Sequence, residues 1–337
     1  MLNITEKDIM TNWKGSNLTP IVSISCTIYN HEKYIANALD GFLSQKTNFP
    51  FEIIAGDDCS TDGTRLIILE YHKKYPNIVK PILWEQNVGA VKNWITILGS
   101  CEGEFIANCE GDDYWTNVNK LQVQKDFLDK NSDFSMCTHA VDIVDDTKYT
   151  STYSPYYANT KEVNTFEDIL KHHFIPTLSL FFRNSCMPQP LPDFFSKVRS
   201  GDIAIELILS SRGKCFYSDK VMGVYTHHDG GITKSAFLHP SDSKEKQYIL
   251  YEGINNYTNK KYNKEIKRKL AIVDFQIFKV YLKEKQYKLA LESLVSGLIK
   301  DPLVLIKITK RKGVYIFQKL LLPLNIIKLF ISNKRGL

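Results

Sequence analysis

Two acidic clusters in this 337-residue chain each follow an apolar, strand-like run. Phe51–Gly56 leads into Asp57-Asp58-Cys59-Ser60-Thr61-Asp62-Gly63-Thr64. Glu104–Asn108 leads, one residue on, into Glu110-Gly111-Asp112-Asp113-Tyr114-Trp115. If both runs are parallel strands of one sheet, the clusters meet at one edge. Carboxylates gathered there repel one another unless a cation sits among them. A divalent metal together with a diphosphate meets that need and points to nucleotide-sugar chemistry.

The elements that must place these acids read as alternating strands and helices. Val22, Ile24, Cys26 and Ile28 alternate with Ser23, Ser25 and Thr27, which predicts a strand. Asn30-His31-Glu32 then opens a helical stretch to about Gln45, with Ile35, Leu39, Phe42 and Leu43 on one face. A strand over Glu52–Gly56, a helix over Asp62–Tyr75 with Asp62 able to cap it, and a strand over Val79–Trp84 follow. Asn87-Val88-Gly89 predicts a turn, Ala90–Leu98 a helix and Glu104–Asn108 a strand. Asn117–Lys130 then reads as a helix and Phe134–Val144 as a strand. This alternation implies a doubly wound, mostly parallel sheet, in which ligands bind beyond the carboxyl ends of the strands. Tyr29-Asn30, Asp57-Asp58 and Glu110–Asp113 all fall there. Between Asp145 and Pro192 the pattern loosens, apart from a strand over Thr177–Phe182, and loops here suit a second-substrate site. Asp202–Ser211 predicts a buried helix. Lys220–Tyr225 predicts a strand running to His227-His228-Asp229-Gly230-Gly231.

Three segments, in this order and at this spacing, resemble the family 2 glycosyltransferases of the GT-A fold. They are Ile24–Asn30, Glu52–Thr64 and Glu110–Trp115. The likeness spans about Val22 to Asp146 and resumes near Asp202 to Gly231. The Glu-Gly-Asp-Asp-Tyr-Trp form is similar to that of bacterial surface-polysaccharide transferases of the O-antigen and capsule type. The resemblance implies an α/β GT-A-type sheet with a C-terminal helical extension, and a hexosyltransferase-type activity. Residues 1–20 would be a lead segment and 21–240 the catalytic domain, with a nucleotide-sugar half to 146 and an acceptor half from 147. Residues 241–337 would be a basic helical region.

The resemblance also implies roles residue by residue. Thr27, Tyr29, Asn30 and Glu32 would line the base and ribose pocket. Asp57 or Asp58 would accept from a ring N–H, a task that suits a group able only to accept. Asn87, Lys92 and Asn93 would lie near ribose and diphosphate. Glu110 stands where the family's Asp-x-Asp motif has its first Asp, and keeps the charge on a longer arm. Asp112, Asp113 and His228 would hold Mg²⁺ or Mn²⁺ against the leaving diphosphate. Asp202, with Gly201 where the family has an acid, would take the acceptor proton in an inverting transfer. Glu206, one turn on, is the fallback. Tyr114 and Trp115 read as packing residues. Gly230-Gly231 would permit a mobile loop over the donor.

Charge is uneven along the chain. Lys260–Leu337 carries 19 Lys/Arg against 5 acids, so the remainder is net acidic by about 8 charges within a total of +6. A basic, amphipathic tail suits anionic headgroups at the inner leaflet. It fits a peripheral cytoplasmic enzyme with a lipid-linked saccharide acceptor on a polyprenyl diphosphate. A helical subdomain packed on the catalytic body is the alternative. Nucleic acid is disfavoured, because no recognition motif accompanies the charge. Met1–Pro20 is polar and reads as no secretory signal. No run reaches the roughly 18 unbroken apolar residues of a spanning helix. The seven scattered cysteines, without a Cys-x-x-Cys pair, suit free thiols in a reducing compartment. A nucleotidyltransferase would want a Gly- and basic-rich loop after the first strand, where Tyr29-Asn30-His31-Glu32 stands instead. A non-catalytic nucleotide- or glycan-binding protein remains the other alternative.

Overall fold

The computed structural model describes residues 3–14, 19–145, 148–152, 161–228 and 240–303. The Gly230-Gly231 loop and the Lys307–Lys328 part of the basic tail lie outside the described residues. The chain divides into two compact units, residues 1–237 with 256–258, and residues 238–255 with 259–337.

The first unit is built on β1 (Val22–Ile28), β2 (Phe51–Asp57), β3 (Val79–Leu83) and β4 (Phe105–Asn108), paired in parallel in the order β3-β2-β1-β4. The order reverses between β1 and β4. That is the crevice where an open α/β sheet offers its ligand site. The helices between them are α2 (Ile35–Leu43), α3 (Thr64–Lys74) and α4 (Ala90–Ser100). The predicted alternation of β1 does not divide core from solvent, because both faces are covered. Ser23 and Ser25 are buried and bonded: Ser23 Oγ donates to Glu52 Oε1 at 2.6 Å, and Ser25 Oγ accepts from Trp94 Nε1 at 3.2 Å.

Beyond β4 the sheet becomes mixed. β9 (Phe181–Arg183) lies antiparallel between β4 and β6 (Phe134–Asp145). β10 (Lys214–His227) runs parallel to β6, and β5 (Tyr114–Trp115) caps the edge antiparallel to β10. β7 (Lys148–Thr152) and β8 (Val163–Asn164) pair beside β6 and β10. Three expectations are corrected. The segment after β1 turns at Asn30, whose φ of 55° lies in the left-handed region, so α2 starts at Ile35. Thr177–Ser179 is a 3₁₀ turn, and the strand begins only at Phe181. The strand expected at Lys220 starts at Lys214, because its first residues find partners on both β6 and β8.

Trp115 holds the acidic loop to the core, as its reading as a packing residue requires. It is 3% exposed; its Nε1 donates to Leu178 O at 2.9 Å and its ring meets Phe42 edge-on at 4.7 Å. α1 (Glu6–Met10), α5 (Lys120–Lys130), α6 (Phe166–Lys171) and α7 (Gly201–Ser210) complete this unit.

The second unit contains most of α8 (Pro240–Tyr257), together with α9 (Asn263–Lys283) and α10 (Tyr287–Lys300). α9 and α10 form the expected helical hairpin, burying Phe275, Phe278, Ala290 and Leu294. Asp274, wholly buried, accepts from Tyr248 Oη (2.6 Å), Ser296 Oγ (2.8 Å) and Lys300 Nζ (3.0 Å), and pairs with Lys244 Nζ (2.8 Å). Lys261, Lys264, Lys267, Arg268 and Lys279 are exposed. No described helix is long and apolar enough to cross a membrane.

Trp115→Ala removes a buried indole and its hydrogen bond. It should cost about 3–5 kcal/mol, read as a lowered urea midpoint.

Candidate active site

The carboxyl ends of β1, β2 and β4 set the site. Ile28 stands opposite Asp57 and Ser25 opposite Asn108. The chain past β4 goes on following β1: Cys109 N donates to Ser25 O (3.1 Å) and Gly111 N to Thr27 O (3.0 Å). Asp113 N then donates back to Glu110 O at 3.2 Å, folding the loop so that three carboxylates converge. Ligand atoms of Glu110, Asp112 and Asp113 lie within 4.8 Å of one another.

β10 closes the far side. Thr226 N donates to Asp113 Oδ1 at 2.8 Å, and His228 Nε2 lies 2.9 Å from Asp112 Oδ2. The β1 loop adds His31, whose Nε2 is 3.7 Å from the same oxygen. Asp112 Oδ1 and Asp113 Oδ2 are buried without a hydrogen-bond partner among the described residues. Orphaned buried carboxylate oxygens beside imidazole suit a divalent cation, and two sets have ligand atoms close enough to share one: His31, Asp112 and His228, and Glu110, Asp112 and Asp113; Asp113 and His228 do not fall in one set.

Burial pushes the Glu110 carboxyl up to about 8, helped by the charges of Asp112 and Asp202. Asp113 is pushed well up by burial and by Asp112 and Glu110. Burial also works against a charged Asp112, yet the His228 hydrogen bond and the neighbouring His31 outweigh it and hold that carboxyl below its ordinary value. One member of the trio therefore carries the charge while its neighbours resist it.

Several residues expected at the ligand are spent on the frame. Asn30 Oδ1 accepts from Thr61 N at 2.8 Å, and Asn30 N donates to Ser60 Oγ at 2.9 Å. Glu32 Oε2 accepts from Gly63 N at 2.8 Å. Asp62 Oδ1 accepts from Thr64 N at 3.0 Å, but the N-cap of α3 is Gly63 and not the expected Asp62; Asp62 Oδ2 accepts from Glu32 N at 3.2 Å. Together these bonds clasp the β1 loop to the β2 loop. Asn93 is buried with both ends of its amide engaged, its Nδ2 donating to Gly56 O (2.8 Å) and its Oδ1 accepting from Trp84 Nε1 (3.0 Å). Asn87 Nδ2 donates to Asp58 O at 3.2 Å.

The Asp pair divides its work. Asp57 Oδ2 accepts from Arg65 Nε at 2.7 Å, whereas the Asp58 carboxylate accepts from Val88 N (2.6 Å) and Gly89 N (2.9 Å). Tyr29 is exposed, Thr27 is half-buried, and exposed Lys92 places its Nζ 5.5 Å from the Trp84 ring centre.

Asp202, in the first turn of α7, is half-buried and close enough to raise Glu110. Glu206 is wholly buried, and its carboxylate meets His173 Nε2 at 3.0–3.1 Å, so the fallback base faces the protein interior. The sequence reading passed over two residues here. His31 stood inside an assumed helix start, and Arg65 carried no motif; a His three residues past a strand end was the available signal.

A mixed α/β sheet with acids and histidines gathered at its switch point is an architecture of the GT-A type. The S. aureus TarS 1–349 crystal structure in complex with UDP-GlcNAc shares the fold, with a TM-score of 0.61 at 22% identity over 82% of this chain and 81% of that one. Residues 23–187 match the profile of Glycosyl transferase family 2, and this segment is a family 2 glycosyltransferase domain. An uncharacterised protein of Mycobacterium tuberculosis (strain ATCC 25618 / H37Rv) is 36% identical over 217 residues, 64% of this chain and 61% of that protein. TuaG of Bacillus subtilis (strain 168), provisionally named a teichuronic acid biosynthesis glycosyltransferase, is 31% identical over 172 residues, 51% of this chain and 63% of that protein. The chain thus spans less than two thirds of the length of these relatives.

Burial raises Glu206 from its ordinary 4.5 to about 7, against the opposing pull of His173. Between those pH values the folded state binds the extra proton, so this contribution to stability is full below about 4.5 and lost as pH rises through about 7. Urea midpoints across that range should fall with pH in the wild type. Glu206→Gln should flatten the fall.

Proposed function

We propose that this protein is an inverting, metal-dependent glycosyltransferase. It moves a sugar from a nucleoside diphosphate sugar, UDP-linked, to a saccharide hydroxyl in surface-polysaccharide synthesis. The observation that carries this reading is the convergence at the switch point of three carboxylates and His228, with orphaned oxygens on Asp112 and Asp113 and with Asp202 close by. A family 2 domain over residues 23–187 supports the same reaction class.

Asp112, with Asp113 and His228, would hold Mg²⁺ or Mn²⁺. The ion supplies positive charge to the leaving diphosphate. The other roles belong to side chains. Asp57 and Asp58 hold the walls of the base pocket through Arg65 and the Val88–Gly89 turn, and a remaining lone pair on one of them takes the ring N–H. Tyr29 and Thr27 line the same pocket, and Lys92 reaches the diphosphate. Glu110, on its longer arm, meets the ribose or the metal. Asp202 accepts the proton of the acceptor hydroxyl as its oxygen bonds to the anomeric carbon and the carbon–phosphate oxygen bond breaks on the opposite face.

The acceptor we infer is a growing glycan on a polyprenyl diphosphate at the cytoplasmic face of the inner membrane. The exposed lysines of α9 and the basic charge of residues 260–337 support that inference.

A thermal-shift screen with UDP, GDP, CDP and dTDP, each with and without Mn²⁺, tests the donor. Ligand at 100 times its Kd stabilises the fold by about 2.7 kcal/mol. The expected result is a Mn²⁺-dependent shift with UDP that disappears in Asp112→Ala. No shift with any nucleotide, in folded protein, would overturn the reading. Asp202→Asn should keep that shift while kcat drops by about 10²–10⁴. Retained turnover would remove Asp202 from its role.

A further inference from the structure

We propose that His31 is a further protein ligand of the metal site, so that two imidazoles flank Asp112 and the site prefers Mn²⁺ to Mg²⁺. This rests on the metal-dependent reading above. Ligand atoms of His31, Asp112 and His228 lie within 4.8 Å of one another. The two His–Asp112 separations are 2.9 Å and 3.7 Å. An octahedral ion about 2.1 Å from each ligand sets neighbours about 3 Å apart and opposite ligands about 4 Å apart, so these spacings admit one.

Neither ring nitrogen of His31 makes a hydrogen bond to the described residues. Its side chain is only 13% exposed. Nδ1 is buried with no hydrogen-bond partner among the described residues, and Nε2 at 3.7 Å from Asp112 is beyond hydrogen-bond length. The nitrogen that faces Asp112 is Nε2, held too far from Oδ2 for a hydrogen bond and at a spacing that an ion between them would bridge.

The surroundings hold the ring there. His31 N donates to Thr64 Oγ1 at 2.8 Å, just past the left-handed Asn30. The Tyr34 ring lies 4.7 Å from that of His228 and 6.5 Å from that of His31. Gly111, the residue between Glu110 and Asp112, leaves the space: a Cβ there would come within 2.9 Å of His31 Nδ1 and of Ile28 Cγ1. The glycine in the acidic motif is thus the seat of the histidine.

The donor set decides the ion. Mg²⁺ favours oxygen ligands and keeps its waters, whereas imidazole binds first-row transition ions better. Two imidazoles beside buried carboxylates therefore tilt the site away from Mg²⁺. Within the series, Mn²⁺ is the ion closest to Mg²⁺ in its use of oxygen ligands.

The test is electron spin-echo spectroscopy of Mn²⁺ added to the full chain, with and without UDP, beside competition by Mg²⁺. The wild type should show nitrogen coupling from two imidazoles, and His31→Gln from one. His31→Gln should also weaken Mn²⁺ binding by about tenfold or more and narrow the Mn²⁺-over-Mg²⁺ preference. Unchanged metal-free melting of His31→Gln and His31→Asn checks that the fold survives. A single imidazole in the wild-type spectrum overturns the proposal even if neither variant folds. Two imidazoles still present in a folded His31→Gln overturn it as well. Failure of the wild type to bind Mn²⁺ at all, with or without UDP, would instead bring down the metal-dependent transferase reading itself.

Discussion

The three crowded carboxylates of one short loop, one buried and two half-buried, are the constraint around which the rest of the first unit is arranged. Glu110, Asp112 and Asp113 stand within four residues of one another, and the charge of Asp112 raises the cost of charge on both of the others. A surface loop would relieve that repulsion by spreading. Here the backbone forbids it. Gly111 N is bonded to the end of β1, Asp113 Oδ1 to the backbone of β10, and the following Trp115 is sunk into the core. The molecule holds the acids together and charges only Asp112, by setting His228 against it with His31 nearby.

That arrangement needs stiff neighbours. The β1 and β2 loops are tied to each other by Asn30, Glu32, Ser60, Thr61 and Asp62, and Arg65 binds Asp57 while also reaching Trp84 O. These bonds use polar groups that could otherwise have met a ligand. What they provide is a crevice whose walls are set before a ligand arrives, which spares the ordering cost at binding. The residues lining a site and the residues shaping it are thus drawn from the same motif. Side-chain type does not tell the two tasks apart: Asn93 and Asn87 share one turn region, yet Asn93 is locked under Gly56 while Asn87 is exposed.

The helical unit follows a different logic. Its hairpin is specified by apolar spacing, with one buried carboxylate, Asp274, surrounded by Lys244, Tyr248, Ser296 and Lys300. A buried charge with donors on all sides is tolerated and fixes how α8, α9 and α10 meet.

Sequence alone determined the strand–helix alternation, the parallel start of the sheet, the two acidic clusters at strand ends, the packing role of Trp115 and the helical hairpin. Each of these is local: a period of two or 3.6 residues, a turn residue, or an acid next to an apolar run. Only the tertiary structure decided that His31 and His228 meet Asp112, that Arg65 answers Asp57, that Glu206 turns inward to His173, and that β9 and β10 make the sheet mixed. Those facts depend on which strand end or helix lies beside which, over separations from eight residues for Arg65 and Asp57 to 116 for His228 and Asp112. Ion pairs and ligand geometry fall off within a few ångströms, so no spacing along the chain can report a juxtaposition that only folding creates.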